Sequence, residues 1–168
     1  ELSPNRAKRL KSNLERLKLD AEVIVTDLFA YEPEEKFDAV LLDAPCSSTG
    51  TVRRHPDVLW TKGPEDIEKL AKLQARMLEK ALTLVKPGGR IVFSNCSLDP
   101  QEGEQLYRDF LAAHPEVEPD LVTVGELAFA GPFLTEHGAL RTTPAGLDLG
   151  APARSGLDGF YAARMRLR

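Results

Sequence analysis

Apolar positions along the chain follow two periods, one near 3.6 residues and one near 2, and they switch repeatedly. Leu10, Leu14 and Leu17 recur at helical spacing, with Ser3 as a cap and Pro4 in the first turn, which predicts a helix over residues 3–18. Residues 21–26 are short and β-branched and predict a strand ending at Asp27, followed by a polar turn over 30–36. Residues 37–43 (Phe-Asp-Ala-Val-Leu-Leu-Asp) predict a second strand, apolar enough to be covered on both faces as in a parallel sheet. An irregular stretch rich in Pro, Gly, Ser and Arg fills residues 44–63. From Pro64 to about Val85, the residues Ile67, Leu70, Ala71, Met77, Leu78, Ala81 and Val85 form one helical stripe. Lys86-Pro87-Gly88-Gly89 stops that helix, and residues 90–95 begin the next buried strand. A further helix is predicted over 101–113. Short strands are predicted over 121–124 and 139–142 and an alternating strand over 159–166, with no internal repeat.

Strand and helix in alternation predict an α/β fold, a doubly wound sheet with flanking helices. Ligands in such sheets bind beyond the carboxyl ends of the strands. Asp27, the segment Asp43 to Cys46, and the segment Asn95 to Ser97 all fall at such ends, so one cleft is expected to collect two carboxylates and both cysteines.

Composition narrows the picture. A chain of 168 residues, 42% hydrophobic and 29% charged, fits one ordinary soluble domain and excludes a disordered or fibrous chain. No apolar run approaches the roughly 20 residues of a membrane span, and no secretory signal opens the sequence. The first residue is Glu1 rather than Met, and the sequence there reads as part of a longer chain. Two cysteines and three scattered histidines (His55, His114, His137) make neither a disulfide framework nor a zinc site, so no metal is expected. The net charge of −4 conceals an asymmetry: residues 1–20 carry +3 and residues 50–90 carry +4. Such segments grip a phosphate backbone or are the solvated faces of two helices.

Each candidate residue has a plain structural role beside its chemical one. Cys46 and Cys96 are either small core side chains or cleft thiols; both follow strands and sit in Ser-rich settings, where a partly ionised thiol is a strong nucleophile. Asp43 either caps the amides of the following loop or, beside a heterocycle, exchanges a hydrogen bond with a ring nitrogen or exocyclic amine. Asp27 carries the same ambiguity and, in a nucleotide-binding sheet, suits an adenine amino group. Arg53, Arg54 and His55, with Trp60 beyond, form a basic loop that either stacks on splayed bases and contacts phosphates or is solvated, with Trp60 tucked into the core.

The run Asp43-Ala44-Pro45-Cys46-Ser47-Ser48-Thr49-Gly50, continued by Thr-Val-Arg-Arg-His-Pro-Asp, resembles the Sun family of RNA cytosine-5 methyltransferases. Asn95-Cys96-Ser97, after Lys-Pro-Gly-Gly and a strand, is similar to the family's second signature, with Asn in place of Thr. Asp158-Gly159-Phe160-Tyr161 resembles its last strand. The resemblance implies a class I S-adenosylmethionine-dependent (Rossmann-like) fold, S-adenosyl-L-methionine as cofactor, small-subunit (16S) ribosomal RNA as substrate and a cytoplasmic setting. It implies that Cys96 attacks carbon 6 of the base and that Cys46 assists loss of the carbon 5 proton and release of the adduct. Asp43 takes the position that steadies the cytosine ring, and Asp27 matches the acid near the adenine. Glu1 falls where the family has an acid for the ribose hydroxyls. Arg53, Arg54 and His55 are the expected RNA contacts.

The chemistry suits these residue types, because carbon 5 of cytosine becomes nucleophilic only after a soft nucleophile adds reversibly at carbon 6. The family's Gly-rich cofactor loop and amino-terminal RNA-binding region would lie upstream of Glu1. On this reading residues 1–168 are the carboxy-terminal part of the catalytic domain without the first strands of its sheet. They are expected to bind the cofactor weakly or not at all and not to turn over alone. Two other readings stay open: Cys46 as the nucleophile, or a non-catalytic RNA-binding module with both cysteines in the core.

Overall fold

The computed structural model describes residues 1–152 and 154–168. It divides into two compact units, residues 1–35 and residues 36–168.

In the first unit, helix α1 (Pro4–Leu17) starts where Ser3 accepts the Arg6 amide on its hydroxyl and ends at Lys18 in the left-handed region, φ 55°. The expected strand over 21–26 is extended backbone but not a strand. Its ladder-type bonds go to a single residue: Glu1 N donates to the Ile24 carbonyl and Thr26 N donates to the Glu1 carbonyl. A strand is defined by a run of such pairs, and one residue cannot supply the run. Asp27 then caps a single 3-10 turn, Leu28–Ala30, through the Phe29 amide.

The second unit holds the sheet. Strand β1 (Phe37–Asp43) leads through a short helix α2 (Val58–Thr61) into the long helix α3 (Pro64–Leu84), which returns directly into β2 (Val85–Asn95). Helix α4 (Glu104–Ala113) follows, then β3 (Val117–Pro119), β4 (Leu140–Thr142) and β5 (Phe160–Leu167). The order is β1-β2-β5-β3, with β4 also paired to β5. β1 and β2 run parallel, joined by the helical crossover such pairs require, whereas β5 is antiparallel to β2, β3 and β4. The result is an α/β sheet with flanking helices, as expected.

Three local expectations need correcting. The strand expected over 121–124 forms instead at Val117–Pro119, and Leu121 and Val124 are exposed. β2 starts five residues earlier than expected, because Lys86–Gly89 is carried as a bulge: Phe37 pairs with Val85, but Ala39 pairs with Arg90. Gly88 at φ 79° makes that detour possible without a side-chain clash. β1 is not covered on both faces either; it is an edge strand of this sheet, and Leu41 is 71% exposed.

The core lies where α3 and α4 cover the sheet. Leu78, Ala81 and Leu84 of α3 and Leu106, Tyr107 and Phe110 of α4 are buried with Ile91, Phe93, Tyr161, Ala163 and Met165 of β2 and β5. Phe93 and Tyr161 meet edge to face, centroids 6.4 Å apart. Each buried large apolar side chain contributes roughly 1.5–3 kcal/mol. β5 alternates Tyr161, Ala163 and Met165 inward, so its period-2 pattern sets its register against β2. Among the described residues no helix is long and apolar enough to cross a membrane.

Candidate active site

β1 and β2 are adjacent and parallel, so their carboxyl ends lie side by side, with Asp43 paired to Ser94. Ala44 N continues the ladder by donating to the Ser94 carbonyl. The chain then leaves β1 through Pro45-Cys46 and leaves β2 through Cys96, which brings the two sulfurs to 3.5 Å. Both thiols are free and partly exposed. Ser48 Oγ lies 3.6 Å from the Cys96 sulfur and 3.9 Å from the Cys46 sulfur, with Ser48 in the left-handed region at φ 61°.

The pair is electrostatically asymmetric. The S–H of Cys46 donating to Cys96, aided by the Ser48 hydroxyl and the Cys96 backbone amide, lowers Cys96 to about 6 against the opposing effects of burial and the Asp43 charge. Cys46 moves the other way: its proton is held by the bond to Cys96, and its deeper burial adds to the upward shift. The direction of this asymmetry favours Cys96 over Cys46 as the thiol that ionises first. Asp43 is exposed and accepts a long bond, 3.4 Å, from the Ser94 hydroxyl.

Behind the thiols lies a buried polar cluster that the motif reading passed over. Glu102, fully buried, accepts from Ser47 N at 2.9 Å, Ser47 Oγ at 2.5 Å and Gln74 Nε2 at 2.9 Å. Gln74 also donates to the Pro45 carbonyl. Ser97 Oγ sits 3.1 Å from Ser47 Oγ and 3.2 Å from Thr49 Oγ1. Asn95, beside Cys96 in sequence, turns away from it: its side-chain amide donates to the Glu102 backbone carbonyl and accepts from Ser97 N. One signal was available, since Gln74 falls on the apolar stripe of α3 between Ala71 and Leu78, where a polar side chain requires partners. Arg141 of β4 was also missed; it donates to the Ser97 carbonyl and, bidentately, to Glu104.

The basic loop divides its duties. Arg53 donates to the Ser155 carbonyl and Arg54 pairs with Asp158 at 2.5 Å, both leaving part of the guanidinium in solvent, and His55 is exposed. Trp60 is 89% exposed, so the core placement is ruled out, and buried Val58 anchors the turn that carries it.

Glu1 and Asp27 belong to the first unit. Glu1 Oε1 accepts from Ser3 N and from Arg6, and these bonds, with the Arg6 charge, hold its carboxyl below the usual range. Glu1 also lines a hollow of about 300 Å³ with Leu10, Ile24, Thr26, Leu28 and Tyr31. Glu22 lines it too, so the hollow joins apolar side chains to two carboxylates, a lining that fits a nucleoside, the apolar wall meeting the base and an acid its hydroxyls. Asp27 is not on that wall; its carboxylate caps the 3-10 turn. Among the described residues, no group of His, Cys, Asp and Glu is placed to hold a metal.

Known proteins are similar to this chain in sequence and in fold. The chain is 37% identical to ribosomal RNA small subunit methyltransferase B of Shewanella oneidensis over 98% of its own length, and 38% identical to the Yersinia pseudotuberculosis protein of the same name. It spans only about 36% and 35% of those two relatives. A methyltransferase homologue from Pyrococcus horikoshii superposes on 99% of the chain and 52% of its own, with a TM-score of 0.72 and 32% identity. The family model for the 16S rRNA methyltransferases RsmB/F matches residues 1–166, both thiol segments included. With the fold, the match along the whole chain and these relatives in agreement, the chain belongs to the 16S rRNA methyltransferase RsmB/F family.

Proposed function

We propose that these residues carry the covalent chemistry of a small-subunit ribosomal RNA cytosine-5 methyltransferase that uses S-adenosyl-L-methionine. The observation that supports this reading is the pair of sulfurs 3.5 Å apart, with Cys96 lowered to about 6 and Cys46 retaining its proton. Cys96 adds as thiolate to carbon 6 of the base, and the electron pair of the 5,6 double bond moves toward carbon 5 and the ring. Asp43 lies where a carboxyl steadies that ring. The bound cofactor supplies the electrophilic methyl group that carbon 5 takes up. Cys46, as thiolate once its own proton has passed to water, takes the carbon 5 proton; the electron pair of that C–H bond re-forms the 5,6 double bond, the carbon–sulfur bond to Cys96 breaks, and Cys96 returns as thiolate.

The electrostatic asymmetry suits that sequence of events. While Cys96 is anionic, Cys46 keeps its proton. Once the Cys96 charge is consumed in the carbon–sulfur bond, Cys46 loses the partner that held its proton and becomes the easier thiol to ionise, as a base beside carbon 5 must. Glu1, on its apolar hollow, is suited to the ribose hydroxyls of the cofactor. The loop of Arg53, Arg54 and His55 offers charge to RNA phosphates, and the exposed Trp60 indole offers a stacking face to an unpaired base.

RNA containing 5-azacytidine traps the adduct, because nitrogen at position 5 carries no proton to lose. Incubated with the chain and with its full-length gene product, it should yield a covalent complex that Cys96→Ala abolishes and that Cys46→Ala allows to accumulate on unmodified-base RNA. The reverse pattern would make Cys46 the nucleophile, and no complex with either protein would refute the covalent route.

A further inference from the structure

We infer that Glu102 is a positioning residue that fixes the separation of the two sulfurs by holding at once Ser47, next to Cys46, through its carboxylate and Asn95, next to Cys96, through its backbone carbonyl. The inference rests on the reading that the two thiols act as a pair. Around Cys46, the preceding carbonyl of Pro45 is held by Gln74 Nε2, which also donates to Glu102 Oε1. The following residue, Ser47, gives Glu102 both its amide and its hydroxyl. Around Cys96, Asn95 donates to the Glu102 carbonyl oxygen and accepts from Ser97 N. Ser97 Oγ in turn lies 3.1 Å from Ser47 Oγ. One residue thus ties together the loops that leave β1 and β2, and neither cysteine can move without breaking a bond in this set.

A buried carboxylate is costly unless its oxygens are satisfied, and Glu102 receives three donors. Gln74 makes the same point from the other side. Its Oε1 is buried with no partner among the described residues, which is unfavourable. Flipping the amide would relieve that atom but would set an acceptor against Glu102 and the Pro45 carbonyl. The grip prevails over the satisfaction of Gln74.

The test compares the wild-type chain with Glu102→Ala and Glu102→Gln at a temperature where circular dichroism shows all three folded. Diamide closes the Cys46–Cys96 disulfide, taking up two electrons and two protons as the sulfur–sulfur bond forms, so its rate reads proximity. Glu102→Ala keeps the backbone carbonyl that holds Asn95 but releases Ser47 and Gln74, so freeing the Cys46 loop should slow closure about tenfold. It should also shift the pH profile of Cys96 alkylation upward, since Cys46 no longer faces Cys96 and the Asp43 charge remains. Glu102→Gln keeps an acceptor for Ser47 N and Gln74 Nε2 and should restore both readouts. A merely structural role predicts lower thermal stability with closure and profile unchanged, and that result would overturn the inference. If Glu102→Ala does not fold, Ser47→Ala and Gln74→Met each remove one arm of the grip. Slower closure in them supports the inference, and wild-type rates in both overturn it. An ordinary thiol profile for wild-type Cys96 would count against the proposed function, whereas the differences among variants report on Glu102 alone.

Discussion

Replacing Cys46 by alanine removes the proton donor that faces Cys96 across 3.5 Å. With Cys96 held at about 6, about nine-tenths of it is thiolate at pH 7, against about one per cent for a thiol at its ordinary value of 9.0. A hydrogen bond to a charged acceptor contributes roughly 1.5–3 kcal/mol, and one pKa unit corresponds to about 1.4 kcal/mol. Cys96 is partly open to water, so the lower end applies and Cys46→Ala should raise it by about one unit. At pH 6 the thiolate fraction then falls from about one half to about one tenth, an about fivefold slower reaction with iodoacetamide. Near pH 8.5 the two proteins should converge. Alkylation over a pH series, quenched and read on the Cys96 peptide by mass spectrometry, measures this directly. Superimposable profiles, or a wild-type protein in which Cys46 is modified first, would refute the assignment of thiolate and donor.

Two further outcomes follow from particular contacts. A Cβ on Gly50 would lie 2.0 Å from the Gly159 carbonyl oxygen and 2.7 Å from that of Cys96, all backbone, so Gly50→Ala should cost at least roughly 1–3 kcal/mol. That is a fall of several degrees in the thermal midpoint by circular dichroism, and an unchanged midpoint would contradict it. Partial burial pushes His114 down, but Glu79 and Glu116 at its two ring nitrogens outweigh this and leave it raised. A raised folded-state value means the contribution is complete below the unfolded value near 6.5 and is lost as pH rises through the folded one. Both acids are about half exposed, so the loss between pH 6 and pH 8 should stay under about 1 kcal/mol. His114→Gln should flatten it, and an equal slope in that variant would exclude His114 as its origin.

Helices α1, α3 and α4 and strands β1, β2, β4 and β5 were legible because their patterns are local, whereas α2 fell inside the stretch read as irregular. Leu10, Leu14 and Leu17 marked α1, the stripe from Ile67 to Ala81 marked α3, and the alternation in β5 marked its inward face. The strand ends could then be located, which placed both cysteines in one hollow. What stayed hidden is non-local. An isolated apolar run such as Leu121–Val124 does not reveal whether a partner strand lies opposite, and the partner of β5 turned out to be Val117–Pro119. The run Phe37–Asp43 announced a strand but not its place at an edge. Glu102 looked like any acid before a helix, because its partners Ser47 and Gln74 lie 55 and 28 residues away. The thiol asymmetry likewise depends on a few tenths of an ångström that no spacing encodes.

A strand inside the sheet is also the latest in chain order of the five described strands. β5 lies inside the sheet, between β2 on one side and β3 and β4 on the other, and the Gly159 amide just before it bonds to the Gly50 carbonyl. A nascent polypeptide therefore carries both cysteines well before it can hold them apart at their working distance. Until residue 167 clears the ribosome, Cys46 and Cys96 are ordinary thiols on an unfinished scaffold. A stop between Cys96 and Phe160 would leave both thiols at the ends of β1 and β2 without the strand that pairs β2 on its other side.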